Sequence, residues 1–125
     1  MGSQEIFERY IYAGMTRNAE MLADLFAPDG VYEAPLEPPD GAFPRRLVGR
    51  DEIRAGMATY YQRPADTRTV DLAKTGYVLH TTADPDVFIA EIDAGFEDGS
   101  GMALVQIFRV RDGKITLLRD YFAAL

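Results

Sequence analysis

The stretch GMALVQIFRVRDGKITLLRDYF, Gly101 to Phe122, decides the fold. Arg111-Asp112-Gly113 in its middle is turn chemistry, and both flanks alternate with the period of a strand. Met102, Leu104, Gln106 and Phe108 share one face of the first flank, and Ala103, Val105 and Ile107 share the other. Both faces are apolar, so neither is simply solvated. In the second flank Leu118, Asp120 and Phe122 lie together, which sets an acid among apolar neighbours.

Upstream the same period continues. TVDLAKTGYVLHT (69–81) and DVFIAEIDAGFE (86–97) read as two further strands, separated by the turn segments TADPD and EDGSG. The last four strands therefore form an antiparallel meander. Before them the period is helical. Ile6, Phe7, Tyr10 and Ile11 mark a helix from Gln4 to about Met15, with Ser3 as its cap. Asn18 caps a second helix, AEMLADLF, and RDEIRAGMATYYQ (50–62) is a third. Between the second and third helices stand a short strand, GVYEAP, and an irregular loop, LEPPDGAFPRR, rigidified by three prolines. Such a loop reads as a plain connector or as one wall of a cleft. Helices first and strands last imply a single α+β domain over residues 1–125, with three helices packed on a curved, mainly antiparallel sheet.

Composition narrows the function. The 125 residues suit one domain, and 47% hydrophobic with 26% charged residues is globular composition. Thirteen Lys plus Arg against twenty Asp plus Glu give a formal charge of −7, which repels nucleic acid and anionic membrane. The absence of cysteine removes thiol chemistry and thiolate metal sites, and a single histidine, His80, removes a His-rich metal centre. With no signal-peptide pattern and no 18-residue apolar run, the chain reads as a cytoplasmic protein.

Glu91 and Asp93, two residues apart, lie on the strand face that also carries Val87 and Ile89, while Phe88, Ile92 and Phe96 take the other. Two readings compete. In the first, both carboxylates and Asp120 face an apolar concavity, where desolvation raises a pKa into the range useful for proton transfer. In the second, Asp93 and Asp120 are surface partners of Arg109, Arg111 or Arg119, and Glu91 is solvated. His80 reads as a surface or turn residue. Tyr10 reads as core, or as a buried phenol donating into a pocket.

The order helix–helix–VYEAP–loop–GRDEI–meander–DGKITLLRDYF resembles the SnoaL-like group of the nuclear-transport-factor-two-like superfamily over nearly the whole chain. The resemblance implies a cone-shaped α+β fold and chemistry without a cofactor, as in ketosteroid isomerases, polyketide cyclases and limonene epoxide hydrolases. Aligned with the isomerases over RYIYAGMTRNAEMLADLFAPDGVYEAP, Tyr10 falls at the oxyanion-hole tyrosine, Ala34 replaces the general base, and Gln106 replaces the oxyanion-hole acid. Aligned with the epoxide hydrolases, YEAPLEPPDG, GRDEI, AEID and LLRDYF are similar to that family's motifs. Tyr32 matches its water-binding tyrosine, Asp93 its catalytic aspartate and Asp120 the partner aspartate. Glu91 stands in place of the bridging arginine, and Ala34 in place of the water-binding asparagine.

These readings imply a catalytic set of Asp93, Asp120, Tyr32 and Tyr10, in which Asp93 and Asp120 lie within hydrogen-bond or one-water reach of each other and the two tyrosines orient or donate. Glu91 perturbs the acids, and Gln106, Met102, Leu104, Phe108 and Leu118 line the substrate pocket. The expected partner is a small apolar molecule, with no metal and no cofactor. The reaction is epoxide hydrolysis, epoxide-opening or polyketide-type cyclisation, or isomerisation. The same fold without chemistry would hold a hydrophobic ligand or serve as an oligomerisation module. A homodimer through the sheet is expected, burying Phe88, Ile92, Phe96, Ala103, Val105, Ile107, Ile115 and Leu117.

Overall fold

The computed structural model describes residues 2–122. Helix α1 (Ser3–Met15) buries Ile6, Phe7, Tyr10 and Ala13 along one stripe. Its N-cap is Gly2, with no side-chain cap bond, so Ser3 belongs to the helix. Arg17, at φ 53°, turns the chain, and its guanidinium bonds the carbonyls of Tyr61 and Arg63. Helix α2 (Ala19–Asp24) starts on Asn18, whose side chain accepts from Met21 N at 3.0 Å. It ends earlier than its apolar pattern suggests, because Phe26 already begins strand β1 (Phe26–Glu33).

Strand β2 (Arg46–Val48) pairs antiparallel with β1 and leads into α3 (Arg50–Tyr60), which buries Ile53 and Met57. Gly49 between them has φ 91°, a conformation that disfavours any side chain. A 3₁₀ turn at Leu72–Lys74 and an isolated bridge, Val70 to Phe96, occupy what alternation alone reads as strand, so β3 is only Gly76–Thr81. Strands β4 (Val87–Gly95), β5 (Gly101–Arg111) and β6 (Lys114–Phe122) complete the meander. The turn between β5 and β6 is the two-residue loop Asp112-Gly113, both at positive φ, which is the hairpin geometry that Asp-Gly favours.

The sheet order is β2-β1-β6-β5-β4-β3. All pairings are antiparallel except β1 with β6. That parallel seam brings Tyr32 beside Leu118 and holds a register shift between Phe26 and Val31. Gly30 makes the close approach possible, since a Cβ there would lie 2.8 Å from the carbonyl oxygen of Ile115. The helices cover one face of the sheet, and the core lies between them, with Phe7, Phe26, Tyr32, Phe108 and Leu118 at most 1% exposed.

Cross-strand register corrects the assignment of faces. Directly opposite residues on antiparallel strands point to the same side. Phe88 pairs with Phe108 and Ile92 with Leu104, so these apolar residues face the helices and are not on the outer face. Glu91 pairs with Val105 and Asp93 with Ala103, which sends both carboxylates outward. A bulge between Arg109 and Val110 turns Ile115 inward, where it is fully buried. Phe96 is buried near the sheet's end beneath the Arg68 guanidinium, 3.9 Å from its ring centre.

Candidate functional site

Three strands and one helix converge on Asp120. On β6 it stands between buried Leu118 and half-buried Phe122, and it pairs with Gln106 of β5. It is 6% exposed, and no salt bridge reaches it among the described residues. Instead the Tyr32 hydroxyl donates to Oδ2 at 2.8 Å, and Gln106 Nε2 donates to Oδ1 at 3.3 Å. Burial lifts the carboxyl to about 6 despite those two donors, and the charge of Glu37 adds to the rise. Tyr32 moves in the same direction: burial first, then the neighbouring Tyr10 and Asp120, hold its phenol well above the ordinary tyrosine value. Tyr10 is likewise raised by burial and by Asp120, which places its phenol in the same electrostatic neighbourhood.

A column of aromatic rings supports this arrangement. Phe108 stacks on Phe88 at 4.6 Å and meets Tyr10 edge-on at 5.6 Å and Phe7 at 6.1 Å. The proline-rich loop packs against this end of the sheet through one aromatic ring. Its Phe43 lies 5.9 Å from the Tyr32 ring, 5.0 Å from Phe122 and 4.7 Å from Tyr60. Tyr32 bonds Asp120 and Phe122 follows the acid two residues later, so Phe43 packs against an aromatic neighbour on either side of it.

Of the residues expected at the site, the structure brings together Asp120, Tyr32, Tyr10 and Gln106. Leu104, Phe108, Leu118 and Met102 share their side of the sheet; Phe108 and Leu118 are fully buried beneath the site, while Met102 and Leu104 are half-buried towards the strand ends. Asp93 and Glu91 are not part of it. Both are exposed on the far face, bordering a shallow depression of about 140 Å³ with Val105 and Tyr121. Glu91 Oε1 contacts His80 Nε2 there at 2.5 Å. The expected Asp93–Asp120 pair therefore does not form, because β4 turns Phe88, Ala90 and Ile92 inward and Asp93, on the alternate face, points away from Asp120. The like charge acting on Asp120 comes from Glu37 of the loop rather than from Glu91. Glu37 and Phe43 escaped the sequence reading, although Phe43 is the single aromatic residue in a polar, proline-rich segment.

Among the described residues, no cluster of three His, Asp or Glu is placed to hold a metal ion, and no helix is long and apolar enough to cross a membrane.

Three helices on a curved, mixed six-stranded sheet form the nuclear-transport-factor-two-like fold. The chain belongs to the SnoaL-like domain family, whose model matches residues 7–118. It is 32% identical over 130 residues to an uncharacterised PhzA/B-like protein of Pseudomonas aeruginosa, covering all of this chain and 86% of that one. Its fold is similar to that of a candidate isomerase from Bacillus subtilis, with a TM-score of 0.73, 20% identity, and coverage of 97% and 86% of the two chains. It is also similar to an LEH-like epoxide hydrolase of M. tuberculosis, with a TM-score of 0.60, 19% identity, and coverage of 95% and 80%.

Proposed function

We propose that the protein is a cofactor-independent acid–base catalyst for a small apolar substrate, with Asp120 as the proton-transfer group. The reactions in view are epoxide opening, cyclisation and isomerisation. One observation carries the reading: a carboxyl 6% exposed, lifted to about 6, is held by two donors and no cation among the described residues. Two donors aimed at its two oxygens suit the ionised form, so Asp120 acts as general base, taking a proton from water or from the substrate. Tyr32 orients it, and Tyr10 offers a second phenol to an oxygen that gains charge. Incubating the protein with apolar epoxides, ketones and polyketide fragments tests this reading. Turnover that depends on Asp120 is expected; turnover unaffected by its replacement would refute the assignment.

Tyr32→Phe removes one of the two bonds that favour the ionised carboxylate. The proton affinity of Asp120 is expected to rise by about tenfold, in line with a hydrogen bond to a charged acceptor. A titration of the Asp120 carboxyl carbon by NMR measures it. An unchanged midpoint would show that the hydroxyl does not support the charge.

A second reading has its own observation. Phe43 packs against Tyr32 and Phe122 beside the acid, and Glu91 and Asp93 lie on the outer face, so a non-catalytic holder of hydrophobic ligands fits the same walls. Absence of turnover on every substrate class, together with ligand binding, would favour it.

The outer sheet face supports a homodimer. Val78 and Val105 are 56% and 39% exposed there, with Ile89, Ile107 and Leu117 half-buried beside them. Pairing two such faces about a twofold axis would bury this patch. Light scattering should return twice the 13.9 kDa chain mass. A single-chain mass at micromolar concentration would reject the dimer.

A further inference from the structure

The amide of Gln106 has two ends, and Asp120 engages one of them. Nε2 donates to Asp120 Oδ1, whereas Oε1 is buried and meets no donor among the described residues. The orientation is fixed by charge: turning the amide over would press its oxygen against an ionised carboxylate and leave Oδ1 without its donor. An acceptor removed from water without a partner destabilises the fold unless something arrives to satisfy it. The sheet offers nothing nearby, because the cross-strand row runs Ala90, Gln106, Asp120, and Ala90 ends in a methyl group.

We propose that Gln106 Oε1 accepts a hydrogen bond from the ligand held against Asp120, so that the site selects small apolar molecules carrying a hydroxyl or N–H donor. This rests on the reading of Asp120 as the centre of a ligand site. A molecule of the same shape without the donor leaves Oε1 buried and unpaired in the complex. That penalty falls on the ligand lacking the group, which is how a polar site rejects an apolar analogue. Gln106 is thus a binding residue that reads one donor, while its other end keeps Asp120 in place.

A matched pair of probes tests the inference: 2-naphthol, which carries the donor, and 2-methoxynaphthalene, which does not. Titration calorimetry at pH 7.5 measures affinity, and the side-chain amide resonances of Gln106 report whether the probe is at this site. The wild type is expected to bind the naphthol about tenfold more tightly or better, with the Gln106 amide shifting. Gln106→Leu, which removes the acceptor at similar volume, should bring the two affinities within about twofold. Gln106→Met serves the same purpose if the leucine variant does not fold. Equal binding of both probes by the wild type, with the Gln106 resonances still shifting, overturns the inference and leaves the ligand site standing. A preference that survives in the variant overturns it as well. Failure of the wild type to bind either probe removes the ligand-site reading and the inference together.

Discussion

Asp120→Asn is expected to lower turnover by about a hundredfold to ten-thousandfold, the usual range for loss of a general base, while making the protein more stable above pH 6. The second effect follows from linkage. In the folded protein the carboxyl titrates at about 6, against roughly 4 for an aspartate in an unfolded chain. The folded state therefore binds the proton more tightly. Its contribution to stability is fully present below pH 4 and is lost as pH rises through 6. The difference between those values corresponds to about 3 kcal/mol. Asparagine carries no charge, so the variant escapes this loss.

Local chemistry also accommodates the variant. The asparagine oxygen accepts from Tyr32, and a half-turn of the Gln106 amide presents Oε1 to the new NH₂ group, so one end of Gln106 is bonded and the other without a partner, as in the wild type. Urea denaturation should show wild type and variant equally stable near pH 4, with the variant ahead by up to about 3 kcal/mol at pH 8. A variant that is weaker at pH 8 would mean that the carboxylate is stabilising and that burial does not dominate. In the wild type, the same titration makes the rate rise with pH and level off above 6, as a base requires; a rate that falls over this range would assign the acid role instead.

Phe108→Ala is the second substitution expected to have a large effect. The ring is fully buried and touches three others, in a stack with Phe88 and edge-on contacts with Phe7 and Tyr10. Deleting it removes the transfer free energy of the side chain and leaves a void that helices fixed by their own hydrogen bonds close only in part. A loss of about 3–5 kcal/mol is expected. Against a typical total of about 5–15 kcal/mol, the variant would be marginal, and its urea midpoint should fall steeply. A change below about 1 kcal/mol would show that α1 can settle onto the sheet. Phe108→Leu keeps most of the volume and should fold, so it isolates the positional effect on Tyr10, whose ring rests on Phe108.

Much of this was legible in the sequence, and the limit has a definite physical cause. Alternation within a strand is a property of that strand alone, so the grouping of Leu118, Asp120 and Phe122, or of Leu104, Gln106 and Phe108, was readable and correct. Helical stripes and the Asp-Gly hairpin were readable for the same reason. Which face of one strand joins which face of the next depends on register, which is set by turn length and bulges. Alternation alone therefore leaves Asp93 free to face inward, although its opposite number is Ala103, an outward residue. Bulges defeat simple parity altogether, as at Ile115. Phe43 and Glu37 lie on an irregular loop with no period to read, and only the folded chain shows that one packs beside Asp120 and the other repels it.

The parallel seam between β1 and β6 also orders events in time. Tyr32 and Asp120 are 88 residues apart, so their bond closes a loop that spans most of the chain. Contacts of such sequence separation form late, after the local hairpins have offset part of the entropy of closing the loop. During synthesis β1 emerges early and must wait for β6, with its apolar residues and its unpaired edge exposed in the interval. The bond that shapes the site is then also a marker of completed folding: a chain that has made its helices and hairpins but not this seam has no site at all.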